Sequence, residues 1–198
     1  MTSDHLQAIC WSVTYILLII YSVKHKMHAI PLTAICLNFA WETTALMGSI
    51  INGNFSVVLL IHVVWFSLDL VMVLLYMFYE SGSGENREEK KHFWRAYILS
   101  TVCLSVLFRC GYMLLSCFVI DLIMAVSFVV FLIRRQCPRS WLLYLIGCTK
   151  LLGDLFAWQY YGSKELIYLI GICVLGCNII YMMILLFRDV RFPVGKKG

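Results

Sequence analysis

Long continuous apolar runs, broken by short polar stretches, dominate this chain. They predict seven helices of membrane-crossing length, over about 8–23, 29–51, 57–79, 94–112, 115–133, 139–161 and 165–187. A helix needs roughly 20 apolar residues to cross a bilayer core. The runs do not alternate in polarity, which argues against a transmembrane β-barrel. The region 94–133 divides into two short helices around Gly111. The one hydrophilic stretch, about 80–93, carries Ser81-Gly82-Ser83-Gly84 and then Glu85, Arg87, Glu88, Glu89, Lys90 and Lys91. Its composition is that of a flexible linker. The expectation is an all-α, polytopic membrane protein with one domain over 1–198, that linker, and a polar tail at about 188–198.

Composition agrees. With 62% hydrophobic and 14% charged residues, the chain lies far from soluble domains, in which roughly a quarter is charged. Charge placement orients the helices. Lys24, Lys26, Arg87, Lys90, Lys91, Arg95, Arg134, Arg135, Arg139, Arg188, Arg191, Lys196 and Lys197 all fall on one side of a seven-span arrangement. Arg109 and Lys164 fall on the other, and Lys150 within a span. Basic loops favour the cytoplasm, so the N-terminus is expected outside or in a lumen and the C-terminus in the cytoplasm. Fusing the two middle helices would put the tail opposite the basic loops. The net charge of +5 therefore does not imply nucleic-acid binding.

Other features are bland. The first apolar run has no basic flank or small-residue cleavage site and is expected to be a retained span. None of the nine cysteines forms a Cys-x-x-Cys pair, and they read as buried free thiols. Trp11, Trp94 and Trp141 fall near span ends, as interfacial anchors do. Asn54-Phe55-Ser56 is formally a glycosylation sequon close to the membrane surface.

Two carboxylates stand out: Glu42 in Asn38-Phe39-Ala40-Trp41-Glu42, and Asp154 in Lys150-Leu151-Leu152-Gly153-Asp154. A carboxylate in hydrocarbon costs roughly 2.5–3.5 kcal/mol at a helix centre, so it normally faces a bundle interior or cavity. Both spans run outward, and the rise per residue puts both acids roughly 10–14 Å below the outer face. They are expected to border one cavity. Trp41 adjoins Glu42, and Trp158 lies one turn beyond Asp154. Glu42 has no basic partner in its own span, whereas Lys150 and Asp154, four apart, can instead neutralise each other. Arg109 and Asp121 read as a structural pair or as rim residues facing water. His62 reads as an interhelical hydrogen-bonding residue. Asp69, one turn beyond Trp65, is either cavity wall or an interhelical hydrogen-bond partner.

Burial disfavours the charged form of an unpaired carboxyl, which makes it a ready general acid. Indole and phenol faces stabilise cations, and exclusion of water prevents their premature capture. An acid beside aromatic walls in a dry site thus suits carbocation chemistry. The chain lacks Asp-Asp-x-x-Asp and Asp-x-Asp-Asp runs.

In Asn38-x-x-Trp41-Glu42, the second-segment acid, the sixth-segment acid Asp154 and the span pattern, the chain resembles the small integral-membrane terpene cyclases of fungal meroterpenoid and indole-diterpene pathways. That resemblance implies seven spans and a cofactor-free, metal-free cyclisation begun by protonating the terminal epoxide of a prenyl chain. It implies Glu42 as initiating acid and Asp154 as a second acid that orients it, shares its proton or accepts the last one. Asn38, Trp41, Trp65, Asp69 and Trp158 would line the substrate site. The implied partners are a hydrophobic prenylated small molecule, the lipid bilayer, and an upstream prenyltransferase and epoxidase. The implied address is the endoplasmic reticulum membrane. The alternative is a seven-helix transporter divided three, one and three, with Glu42 and Asp154 as pseudo-symmetric proton-coupling or gating residues; it lacks a Pro-Gln signature.

Overall fold

The computed structural model describes residues 3–53, 56–79, 86–134, 137–138, 140–162 and 165–191. Among them seven helices follow one another: α1 Ser3–His25, α2 Leu32–Ile51, α3 Val57–Tyr79, α4 Asn86–Arg109, α5 Met113–Arg134, α6 Trp141–Tyr161 and α7 Glu165–Arg191. There is no strand among the described residues. Among the described residues, six helices, all but α4, are long and apolar enough to cross a membrane.

The predicted boundaries differ most at α4. The charged run from Asn86 is helical rather than linker, because Glu, Lys and Arg are good helix formers and can extend the apolar helix that follows. Residues 80–85 of the expected linker, Asn54 and Phe55 of the sequon, loop residues Arg135, Arg139 and Lys164, and tail residues 192–198 lie outside the described residues. The breaks have local causes. Pro31, at φ −59°, precedes the first turn of α2, where its missing N–H costs no helical bond. Gly111, at φ +82°, turns the chain between α4 and α5. The Ser140 side chain caps α6 by accepting from the Leu142 amide at 3.3 Å.

α2 occupies the middle, against α3, α4 and α5, while α1 packs on α6 and α3, and α7 closes onto α5 and α6. More than half of the α2 span is buried, the largest share among the six. The outside is apolar as well: Leu60, Leu74, Ile98, Val102, Ile133 and Leu169 are all exposed, as a lipid-facing surface requires. Hydroxyls inside the bundle fold back onto their own helices. Thr44 donates to the Ala40 carbonyl at 2.8 Å and Ser22 to that of Leu18 at 2.8 Å, which satisfies them without water. Thr14 and Thr149 hydroxyls meet at 2.8 Å, joining α1 to α6.

Two sequence expectations change here. Trp141 is exposed at the start of α6 and Trp94 is exposed about two turns into α4, but Trp11 is buried against α6. Gly153 permits that approach, since a Cβ there would sit 2.9 Å from the Trp11 ring. None of the nine cysteines is in a disulfide, but only Cys36 and Cys137 are buried; Cys103, Cys110, Cys148 and Cys173 face outward, where a small apolar thiol is equally at home in lipid.

Candidate active site

A cavity of about 480 Å³ opens among the first turns of α1, α3 and α5, the middle of α2 and the end of α6. These are the N-terminal parts of α1, α3 and α5 and the C-terminal end of α6. Its aromatic wall is Trp11, Tyr15, Trp41, Trp65, Phe118 and Tyr161; its polar groups include Asn38, Glu42, His62 and Asp121. The aromatic side chains are braced. Trp41 packs edge-on against Phe108 with ring centres 4.7 Å apart. Trp65 donates its indole N–H to Ser12 at 3.0 Å.

Glu42 is buried to 2% exposure and borders this cavity. The partner its own span lacks comes from α3: Glu42 Oε2 lies 2.8 Å from His62 Nδ1. In hydrocarbon such a contact removes one orphan lone pair and fixes the carboxyl rotamer. His62 is therefore part of the site.

Asp154 lies behind the wall and does not border the cavity. Its Oδ2 accepts from Lys150 Nζ at 2.6 Å and from Asn178 Nδ2 at 2.6 Å, tying α6 to α7. Lys150 Nζ also lies 3.4 Å from Asp121 Oδ1 on α5, and 4.9 Å from the centre of the Trp11 ring. Asp121 is the member of this group that lines the cavity. Of the two readings for Arg109 and Asp121, the mutual pair does not form: Asp121 pairs with Lys150, while Arg109 is exposed at the end of α4, as a rim residue is. Equal depth on two spans did not reveal which face each acid presents.

The remaining expected residues divide. Asn38, Trp41 and Trp65 line the cavity. The Asn38 amide donates to the Tyr15 hydroxyl at 2.7 Å and to Asp69 Oδ2 at 2.7 Å. Asp69, fully buried, is thus an interhelical partner that holds the Asn38 amide rather than a lining residue. Trp158 faces away, donating to the Tyr168 carbonyl at 3.2 Å and packing on Tyr168 and Gly171.

Of the residues that line the cavity, the sequence reading took Trp11 for an interfacial anchor, Asp121 for a structural or rim residue and His62 for an interhelical one, and it passed over Tyr15. A lone imidazole early in the span that follows Glu42 by a short turn was a usable signal. So was Asn178, an amide in an otherwise apolar run. Nothing distinguished Tyr15 from ordinary span residues, and the place of Trp11 near a span end pointed to an anchor. As an arrangement, the site offers a buried acid with an imidazole partner, a second carboxylate held by an ammonium, and aromatic faces between. It can donate a proton, shelter a cation from water and take a proton back.

The family model of the Pyr4-like transmembrane terpene cyclases matches residues 3–190. No curated protein matches the chain, and no solved structure does.

Proposed function

Since the chain belongs to the Pyr4-like transmembrane terpene cyclases, membrane enzymes that cyclise terpenoids, we propose that it protonates and cyclises the prenyl chain of a meroterpenoid or indole-diterpene precursor. The observation that carries this reading is Glu42, buried in the wall of a cavity lined by indole and phenol rings. The Glu42 carboxyl donates its proton to the terminal epoxide oxygen, and the carbon–oxygen bond breaks. Each alkene then supplies its π pair to the cationic carbon, closing one ring and moving the charge along the chain. Trp11, Trp41 and Trp65 face the passing cation. The last carbocation loses a proton to give an alkene, so product and substrate are isomers and no metal is required.

His62 holds Glu42 in one orientation, and Asn38 fixes the Tyr15 hydroxyl at the rim of the same space. Asp154 assists from behind the wall, by anchoring Lys150. The substrate enters from the bilayer, in which an upstream prenyltransferase and epoxidase would leave it. The membrane we assign is that of the endoplasmic reticulum. α4 serves as the seventh span, running beside α2, with the N-terminus lumenal and the C-terminus cytoplasmic. Its Ile98, Val102 and Val106 form an exposed apolar stripe that suits lipid. The carrier reading is not favoured, because the matching family is one of cyclases.

The test is conversion of an epoxidised farnesyl-aromatic compound by microsomes bearing the protein, followed by chromatography with mass detection. A new peak of unchanged mass is expected with the natural sequence and none with Glu42→Gln at equal protein level. Cyclisation retained by Glu42→Gln would overturn the assignment.

A further inference from the structure

Resting on the cyclase reading, we propose that Asp121 is a further catalytic residue, the carboxylate that takes the proton released when the last carbocation becomes an alkene. The reaction brings one proton in and must let one out, so a base has to touch the cavity. Asp154 cannot serve directly: its side chain is 1% exposed, and its Oδ2 is held at 2.6 Å by both Lys150 and Asn178. Asp121 lines the cavity and its side chain is 15% exposed. Its contact to Lys150, at 3.4 Å, is the looser of the two that this ammonium makes.

Charge counting gives the reason Asp121 accepts a proton. One ammonium sits between two carboxylates, so with both ionised the group carries one surplus negative charge. In a low-dielectric wall that surplus attracts a cation in the cavity. When Asp121 takes the proton, the pair left behind, Lys150 with Asp154, is balanced one to one. A buried charge left unmatched is what hydrocarbon penalises most, and protonating Asp121 removes it without breaking the shorter ion pair.

The step balances. The C–H bond next to the cationic carbon breaks and its electron pair becomes the new C=C bond. The proton forms an O–H bond with an Asp121 carboxylate oxygen. Glu42 is then ionised and Asp121 protonated; one proton passed back through water in the emptied cavity restores the start. Initiation and termination are thereby assigned to different helices, α2 and α5.

The experiment uses the full chain in microsomes with the epoxidised farnesyl-aromatic compound, following substrate consumption and product distribution separately. Asp121→Asn keeps the Lys150–Asp154 pair. It is expected to consume substrate still, while the main isomeric alkene falls by roughly a hundredfold in favour of partly cyclised products or products one water heavier. Asp121→Glu, which keeps the carboxylate but moves it, is expected to change the ratio of alkene isomers while consumption continues. The same product distribution as the natural sequence in both variants would overturn the proposal. So would loss of consumption in both variants at natural membrane levels and detergent elution volume. Glu42→Gln separates the two readings: if it still consumes substrate, initiation by Glu42 falls, whatever Asp121→Asn shows.

Discussion

At Glu42 a single contact, 2.8 Å to His62 Nδ1, joins two residues that the sequence places in separate spans. The carboxylate was legible because hydrocarbon makes an ionisable side chain costly and therefore conspicuous. The imidazole was equally visible, but its role depends on which face of α3 meets α2. Replacing His62 with Leu leaves a buried carboxyl without this partner. We expect turnover to fall roughly ten- to a hundredfold, the rate equivalent of about 1–3 kcal/mol. His62→Gln, which retains a donor, should recover part of it. Rates normalised to protein level check this, and an unchanged His62→Leu rate would contradict it. Asn38 teaches the complementary lesson. It belongs to the cavity as expected, but its amide serves Tyr15 and Asp69 rather than Glu42.

Between elements, Lys150 does what no single helix could reveal. It lies on α6, pairs with Asp154 on the same helix and Asp121 on α5, and through Asp154 reaches Asn178 on α7. The four-residue spacing of Lys150 and Asp154 was readable, because i and i+4 share a helix face. That Asp121 joins them was not, because it requires the rotation of α5 about its own axis. Lys150→Met leaves two buried carboxylates without their cation. We expect a loss of about 3–5 kcal/mol, seen as a lowered unfolding midpoint in detergent. Double replacement with Asp154→Leu, which removes one of the stranded charges, should recover part of that loss. If Lys150→Met unfolds at the same midpoint as the natural sequence, the ion pairs contribute nothing and this account of the bundle interior fails. The same limit applies to Trp158: its position one turn beyond Asp154 was legible, but not that it turns toward Tyr168 on α7.

For the whole molecule, α4 is proposed to cross the bilayer. If it does, the two chain termini lie on opposite sides. A glycosylation acceptor placed before Ser3 should be modified in microsomes, and one placed after Arg191 should not. Modification of both, or of neither, would put the termini on one side and leave α4 at the surface. The sequence by itself determined the all-helical fold and the helix boundaries, which match to within a few residues outside α1 and α4. It also singled out Glu42, which borders the cavity. These properties are local: apolar run length, turn chemistry and the cost of charge in hydrocarbon are written along one dimension. Tertiary structure alone decided that Asp121 rather than Asp154 faces the cavity, that Trp11 is wall rather than anchor, and that His62 serves Glu42. Those outcomes depend on how each helix is rotated against its neighbours, and in spans apolar on every side no stripe of polarity records that angle.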